Sequence, residues 1–225
     1  MKTMLVLSMG ALLLAGTLSA QTPVPEWQAG VDKMKSLIQT NPAQASEEVG
    51  ELLKGKNKKN VDLVTSVAHV YLDAGKLTEA QEYLAMAKKA NNKDPKVSVL
   101  EGDIALAQKN IGQACQLYEQ AIYFDPNCKE AYLKYAQAYK SASPALAIEK
   151  LEQLKAVDPN CLEADRELAE VYYSSNRFGK AAEMYAKFID TPLATEDDML
   201  KYAFALFLNH DFEKSLQVAQ KGLQK

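Results

Sequence analysis

The tetrapeptide Asp125–Cys128 (DPNC) returns unchanged as Asp158–Cys161, 33 residues further along the chain. A motif that recurs at a period of about 20 to 50 residues is typical of repeat proteins, in which each copy is one small structural unit. Small and aromatic residues around the two copies recur at matching places. The sequence therefore predicts a chain built largely from repeats.

Five positions define the register of the repeat. In the stretch 95–128 they are Gly102, Ala114, Tyr118, Ala121 and Pro126. In 162–195 the same places hold Ala169, Ala181, Tyr185, Phe188 and Leu193, and the proline, Pro192, comes one residue early. Because Tyr118 and Tyr185 recur at equivalent places with helical periodicity, we predict that both belong to the core.

Each copy carries two apolar stripes at i, i+3, i+4, i+7 spacing, which predicts two amphipathic helices. Asn41-Pro42, Asp94-Pro95 and Ser143-Pro144 each place a capping side chain before a first-turn proline. Thr78 followed by Gln81 matches a capping box. We find no alternating β-branched run that would predict a strand, so the fold class is predicted to be all-α.

A helix–turn–helix period of about 34 residues with these small and aromatic positions resembles the tetratricopeptide repeat (TPR) family from Val61 to Lys225. The resemblance implies a right-handed superhelical α-solenoid of stacked hairpins. We expect a divergent hairpin at 27–60, repeats at 61–94, 95–128, 129–161 and 162–195, and an incomplete repeat at 196–225. Glycine stands at the turn between the two helices only as Gly75; the other full-length turns have Lys109, Asn176 and His210.

The N-terminus has the pattern of a secretory signal peptide. Lys2 precedes an uncharged apolar run from Met4 to Leu18, and Ala20 ends the segment with a small residue. We expect residues 1–20 to be removed and 21–26 to form a polar lead-in. The protein is then expected in a bacterial periplasm or outside the cell, with no integral membrane segment after cleavage, because no later stretch is long and apolar enough.

Composition gives no sign of nucleic acid as a partner. The 26 lysine and arginine residues are outnumbered by 29 aspartate and glutamate residues, for a net charge of −3. The three cysteines, Cys115, Cys128 and Cys161, are an odd number that does not build a disulfide framework, and no CxxC or Cys/His pair suggests a metal site. We expect them to be inert thiols.

One string in the chain matches a phosphate-binding loop. Gly50 to Lys56 reads GELLKGK, but Asn57 follows where a magnesium-binding hydroxyl belongs, and no strand is predicted before it. We find no zinc, serine-hydrolase or paired-carboxylate motif. The sequence therefore predicts neither a cofactor nor an enzyme.

In the TPR family the first helices of the hairpins line a concave groove that commonly holds a partner's peptide or helix. The resemblance places the following residues there: His69, Asp73, Val99, Asp103, Leu133, Gln137, Arg166, Glu170, Tyr173, Leu200, Phe204 and Phe207. Arg166 and Glu170 could instead form only an i,i+4 ion pair. The apolar residues at the C-terminal end of this face predict an interface.

These observations predict an exported scaffold or adaptor that binds a protein or peptide partner in its groove. Two alternatives are open at this point. The chain could be a periplasmic binding protein for a glycan or peptide, or it could be a self-assembling structural module that associates through its uncapped C-terminal end.

Overall fold

The computed structural model describes residues 24–223. The predicted signal peptide and the first part of the lead-in lie outside the described residues.

Residues 24–223 form twelve α-helices and no strand, in six hairpins that stack in chain order. The helices are α1 Gln28–Leu37, α2 Pro42–Leu52, α3 Val61–Asp73, α4 Leu77–Asn91, α5 Pro95–Ala107, α6 Ile111–Phe124, α7 Lys129–Tyr139, α8 Pro144–Val157, α9 Leu162–Ser174, α10 Phe178–Phe188, α11 Glu196–Leu208 and α12 Phe212–Gly222. A short 3-10 helix, Gly55–Lys59, joins the first hairpin to the second. The predicted all-α solenoid of helical hairpins is confirmed.

The turns inside four hairpins share one backbone conformation. Gly75 has φ 74°, and the equivalent Lys109, Asn176 and His210 have φ 64°, 58° and 64°. The left-handed region has a higher conformational energy for residues with a side chain than for glycine, although asparagine adopts it more readily than most residues do. The turn geometry is therefore kept by the repeat even where glycine is absent.

The predicted proline-associated caps are only partly present. The side chain of Asn41 accepts a hydrogen bond from the backbone N–H of Gln44, and that of Asp94 accepts one from Lys96. The Ser143 side chain makes no capping hydrogen bond, so that cap was predicted wrongly. Its proline still begins the helix, because the fixed φ of proline suits the first turn.

The predicted capping box at Thr78 is also wrong. Helix α4 begins two residues earlier than the box requires, at Leu77, with Lys76 as its N-cap. Leu77 packs against the core of the first two hairpins, and this contact favours starting the helix there. A capping box does occur at the start of α11, where the Thr195 and Asp198 side chains each bind the other's backbone N–H.

The small residue in the first helix permits close contact with the second, as the pattern predicts. A Cβ atom on Gly102 would lie 2.5 Å from Cε1 of Tyr118, which is closer than such atoms approach. Tyr118 and Tyr185 are each 0% exposed, so the predicted core role of both tyrosines is confirmed.

The first helices of the hairpins define one side of the stack. Successive first helices touch one another, α1 with α3, α3 with α5, α5 with α7 and α7 with α9. Successive second helices make no comparable contact within residues 24–223. The stack is therefore tighter on the side of the first helices, and we call this side the concave face.

Candidate functional site

Asp103 on α5 is the centre of a polar cluster on the concave face. It is 7% exposed, and its carboxylate accepts a hydrogen bond from the Tyr118 hydroxyl at 2.7 Å. Lys134 of the next hairpin lies 3.0 Å from Oδ2, and Nε2 of His69 in the preceding hairpin lies 3.1 Å from the same atom. Burial alone would raise the pKa of Asp103, but the His69 hydrogen bond and the Lys134 charge more than offset it and lower the pKa.

Glu170 on α9 is the centre of a second cluster. Its Oε1 accepts a hydrogen bond from the Tyr185 hydroxyl at 2.7 Å. Lys201 of the next hairpin lies 2.9 Å from Oε2, and Lys140 of the preceding hairpin lies 3.2 Å from it. Burial opposes ionisation here as well, but the Tyr185 hydrogen bond and the Lys201 contact give a lowered pKa. We call the clusters around Asp103 and Glu170 the carboxylate nodes.

The acid, the tyrosine and the lysine of the next hairpin have the same sequence spacing in both carboxylate nodes. Tyr118 follows Asp103 by the same interval as Tyr185 follows Glu170, and each lysine from the next hairpin, Lys134 or Lys201, stands at a matching distance along the chain. Each node connects three consecutive hairpins. The sequence predicted the two carboxylates as groove residues, whereas neither lysine was predicted to lie there. The same spacing of acid, tyrosine and lysine occurs in two copies that lie two repeats apart, and this recurrence could have indicated the lysines.

Further polar contacts link neighbouring hairpins along the same face. Lys96 binds Asp62 at 2.5 Å, Lys129 binds Glu163 at 2.7 Å, and Gln137 donates to Glu167 at 2.8 Å. Exposed pairs of this kind contribute little stability individually, about 0–1 kcal/mol. They nevertheless place opposite charges of neighbouring hairpins side by side along the face.

The possible i,i+4 pair between Arg166 and Glu170 is not formed. Arg166 instead makes a two-pronged contact with Asp198 of the next hairpin, at 3.1 Å from each nitrogen, while Glu170 binds lysines. Asp198 is 1% exposed and needs this charge partner. Arg166 therefore joins two hairpins instead of bracing its own helix.

A cavity of about 360 Å³ opens at the N-terminal end of the concave face. It is lined by Pro25, Trp27, Asp62, Thr65, Ser66, His69, Lys96, Val99 and Glu130. The predicted groove residues His69 and Val99 thus meet here, although Val99 is only 1% exposed and contributes to the floor. The cavity is mainly polar, with Trp27 as its one large aromatic side chain.

An aromatic group lies at the other end of the concave face. The ring of Phe204 on α11 is 6.4 Å from Tyr173 and 6.4 Å from Phe178, and the latter two rings are 5.7 Å apart. Phe204 is half exposed. We call these three residues the aromatic shelf; it offers an apolar contact where the other end of the groove is polar.

The remaining predicted groove residues are placed in different surroundings. Asp73 is exposed at the end of α3, and Leu133 is partly buried on α7. Leu200 lines a separate cavity between α11 and α12, and the Phe207 ring lies 5.4 Å from that of Phe212. Leu200 and Phe207 therefore lie at the open end of the stack, beside the aromatic shelf.

The cysteines are free thiols, and Cys115 and Cys161 are buried. Burial, aided by the charge of Glu119, raises the pKa of Cys115 to about 11, which disfavours the reactive thiolate. Within residues 24–223 no group of side chains has a geometry that could hold a metal ion. No helix in this range is both long and apolar enough to cross a bilayer.

The string from Gly50 to Lys56 occupies the end of α2 and the 3-10 helix that follows. A phosphate-binding loop requires a strand before the loop and a helix beginning at it. Neither is present at this position, so the match is one of letters only.

A family model described as the tetratricopeptide repeat matches residues 67–129 and 137–194, which is more than half of the chain. No curated protein matches the sequence.

Several solved structures have the same fold. PilW, described as a widely conserved type IV pilus biogenesis factor, is 17% identical over 87% of this chain and 89% of its own, with a TM-score of 0.64. PilF of Pseudomonas aeruginosa is 17% identical over 86% of this chain and 89% of its own, also at 0.64. YrrB, described as having an unusual peptide-binding site, is 14% identical over 78% of this chain and 90% of its own, at 0.55. At these identities the similarity extends to the fold alone.

Proposed function

Because the chain belongs to the tetratricopeptide repeat family, we propose that it is a scaffold or adaptor that holds a segment of a partner protein along its concave face. Proteins with this fold generally mediate protein–protein interaction, and YrrB is described as having a peptide-binding site. The observation that carries the proposal is the layout of the face. A polar cavity and an aromatic shelf lie at its two ends, and a wall of paired charges lies between them.

The chemistry of the two ends suggests the kind of segment that fits. Glu130 is exposed at the cavity and Asp73 is exposed near it, so this end favours polar or basic residues. The aromatic shelf favours a large apolar residue at the other end. The carboxylate nodes tie α3, α5, α7, α9 and α11 together, which keeps the two ends at a fixed separation and lowers the entropic cost of binding.

We also propose that the protein is exported. Lys2, the apolar run that follows and the small residue Ala20 support this. Fractionation of the native host should recover the chain from the periplasm or the medium, and its first residue should be Gln21. Recovery from the cytoplasm with Met1 in place would contradict the proposal.

The groove is tested by crosslinked affinity capture of the full chain, tagged and produced in its native host. We expect Glu130→Lys together with Phe204→Asp to reduce the captured partner by about tenfold or more, because one change reverses the charge at the cavity and the other removes the apolar contact. Both residues are exposed enough for the fold to tolerate the changes, which circular dichroism would check.

A matched control carries the same kinds of change on second helices. Glu82→Lys on α4 and Tyr123→Asp on α6 alter exposed residues, and Tyr123 is 83% exposed. This variant should capture the partner as well as the unchanged chain does. Equal capture by the groove variant would show that the partner binds elsewhere.

A glycan or free peptide is the second candidate ligand, and the cavity beside Trp27 is the observation that favours it. Its 360 Å³ lies within the range of about 300–1,000 Å³ for small-ligand sites. A ligand in this cavity would raise the melting temperature of the unchanged chain but not of Trp27→Ala. If no glycan or peptide mixture raises the melting temperature of the unchanged chain above that of Trp27→Ala, binding of a small ligand is contradicted and binding of a protein partner remains the supported function.

A further inference from the structure

The last hairpin exposes most of the large apolar side chains found on the surface of residues 24–223. They are Leu200, Phe204, Phe207, Leu208, Phe212, Leu216 and Leu223. Helix α12 has no buried residue at all. Contiguous apolar surface of this kind usually marks an interface. We call Leu200, Phe207, Phe212, Leu216 and Leu223 the end face.

The end face repeats the contact surface that joins one hairpin to the next. Phe207 and Phe212 form an edge-to-face pair at 5.4 Å, and the equivalent Tyr173 and Phe178 of the preceding hairpin form one at 5.7 Å. The earlier pair receives the ring of Phe204 from the following hairpin. The later pair is about half exposed and has the same shape.

Two other end-face residues follow the same register. Leu216 and Leu223 correspond to Ala182 and Ile189, which are 6% and 7% exposed. Ala182 and Ile189 belong to the core cluster that also includes Met199 of the following hairpin. The end face is thus a continuation of an interface that the chain already uses internally, and it is suited to receive another helix.

A small cavity completes the end face. It has a volume of about 140 Å³ and is lined mainly by apolar atoms of Met199, Leu200, Val218, Gly222 and Leu223. An apolar cavity of about 150 Å³ is large enough for a benzene ring. It can therefore take one large apolar side chain from an incoming helix.

We propose that the end face joins two copies of this chain tail to tail, with α11 and α12 of each copy packed against those of the other about a twofold axis. Area supports a second copy as the occupant. With about 200 Å² for each fully exposed side chain, the end face presents on the order of 600 Å². A specific interface buries about 800 Å² per partner, so the apolar end face would supply most of that area and its polar rim the rest.

The distribution of apolar surface favours a closed dimer over a polymer in which copies associate head to tail. Helices α1 and α2 expose no large apolar side chain, and among the described residues before them Val24 is the one that is exposed. A head-to-tail contact would therefore set the end face against a mainly polar surface with a single exposed valine. The matching surface that a second copy offers is the same end face, which gives a self-complementary, closed dimer.

The test measures the mass of the full chain, purified from its native host, by sedimentation equilibrium over a concentration series. We expect a monomer–dimer equilibrium. Leu216→Asp should raise the dissociation constant by about 30-fold or more, because it places a charge in the centre of the apolar contact. Leu216 is 61% exposed in the single chain, so the melting temperature of the diluted monomer should not change.

Gln217→Asp is the matched control, since it adds the same charge one residue further along α12. Gln217 lines a different cavity, with Ala186 and Tyr202, on the side that faces the preceding hairpin. This variant should dimerise like the unchanged chain. A monomer at every concentration up to about 100 μM, a dimer that Leu216→Asp does not weaken, or polymers that grow with concentration would each overturn the proposal.

Discussion

Tyr185→Ala is expected to lower the free energy of unfolding by about 3–5 kcal/mol, the range for removing a large buried ring. Tyr185 is 0% exposed, and its ring lies 5.8 Å from Phe188 and 5.9 Å from Tyr202. The alanine variant would leave a cavity where α9, α10 and α11 meet, and would also remove the hydrogen bond to Glu170.

Tyr185→Phe separates the ring from the hydroxyl. Phenylalanine keeps the packing and loses only the donor to a carboxylate, so we expect a cost of about 1.5–3 kcal/mol. Tyr123→Ala, at an 83% exposed tyrosine on α6, should change stability by no more than about 0.5 kcal/mol.

Thermal and urea unfolding followed by circular dichroism measure these differences. Hairpins in a stack can unfold in steps, so hydrogen exchange of α9 to α11 should locate the loss. If Tyr185→Phe costs as much as Tyr185→Ala, the hydroxyl and not the ring dominates, and the packing argument is wrong.

The fold was predictable because the same pattern of small and aromatic residues occurs in several copies of the repeat. A single Gly102 or Tyr118 would indicate little, but small and aromatic residues that recur in register specify two packed helices and the next pair beside them. The left-handed turns show the same redundancy. Lys109 and His210 adopt the conformation of Gly75, since the helices on either side hold the chain there.

The carboxylate nodes were less predictable because they depend on how far one hairpin is displaced from the next. Asp103 and Glu170 were correctly predicted to lie on the first helices. Their buried, paired state depends on Lys134 and Lys201, which come from the following hairpin. Helical periodicity describes one helix at a time and carries no information about which side chain of another hairpin comes within 3 Å.

The same reason explains which partner Arg166 takes. Within α9 the i,i+4 spacing makes Glu170 a natural partner, and surface pairs of this kind are worth only about 0.3–0.5 kcal/mol. Asp198 is nearly inaccessible to water and loses more without a cation, so the longer-range contact wins. The burial of Asp198, which cannot be read from the sequence, determines that Arg166 pairs with Asp198 and not with Glu170.

Asp103→Ala is expected to lower the free energy of unfolding by about 2–3 kcal/mol at neutral pH. The buried hydroxyl of Tyr118 would lose its acceptor, while Lys134 and His69 are about one-third exposed and can turn toward water. The loss should therefore fall below the 3–5 kcal/mol or so that follows when the remaining charge is fully buried. Adding Tyr118→Phe should recover part of the loss, because the orphaned donor is then absent as well.

The dependence on pH supplies a second, independent readout. The folded pKa of Asp103 lies below its ordinary value of about 3.9. The carboxylate's contribution is therefore complete above about pH 4 and is lost as the pH falls through the lower folded pKa. Melting temperatures of the unchanged chain and of Asp103→Ala should differ at neutral pH, and the difference should shrink as the pH falls below about 4. A gap that persists at the lowest pH would show that Asp103 acts through packing, and that the carboxylate node does not depend on its charge.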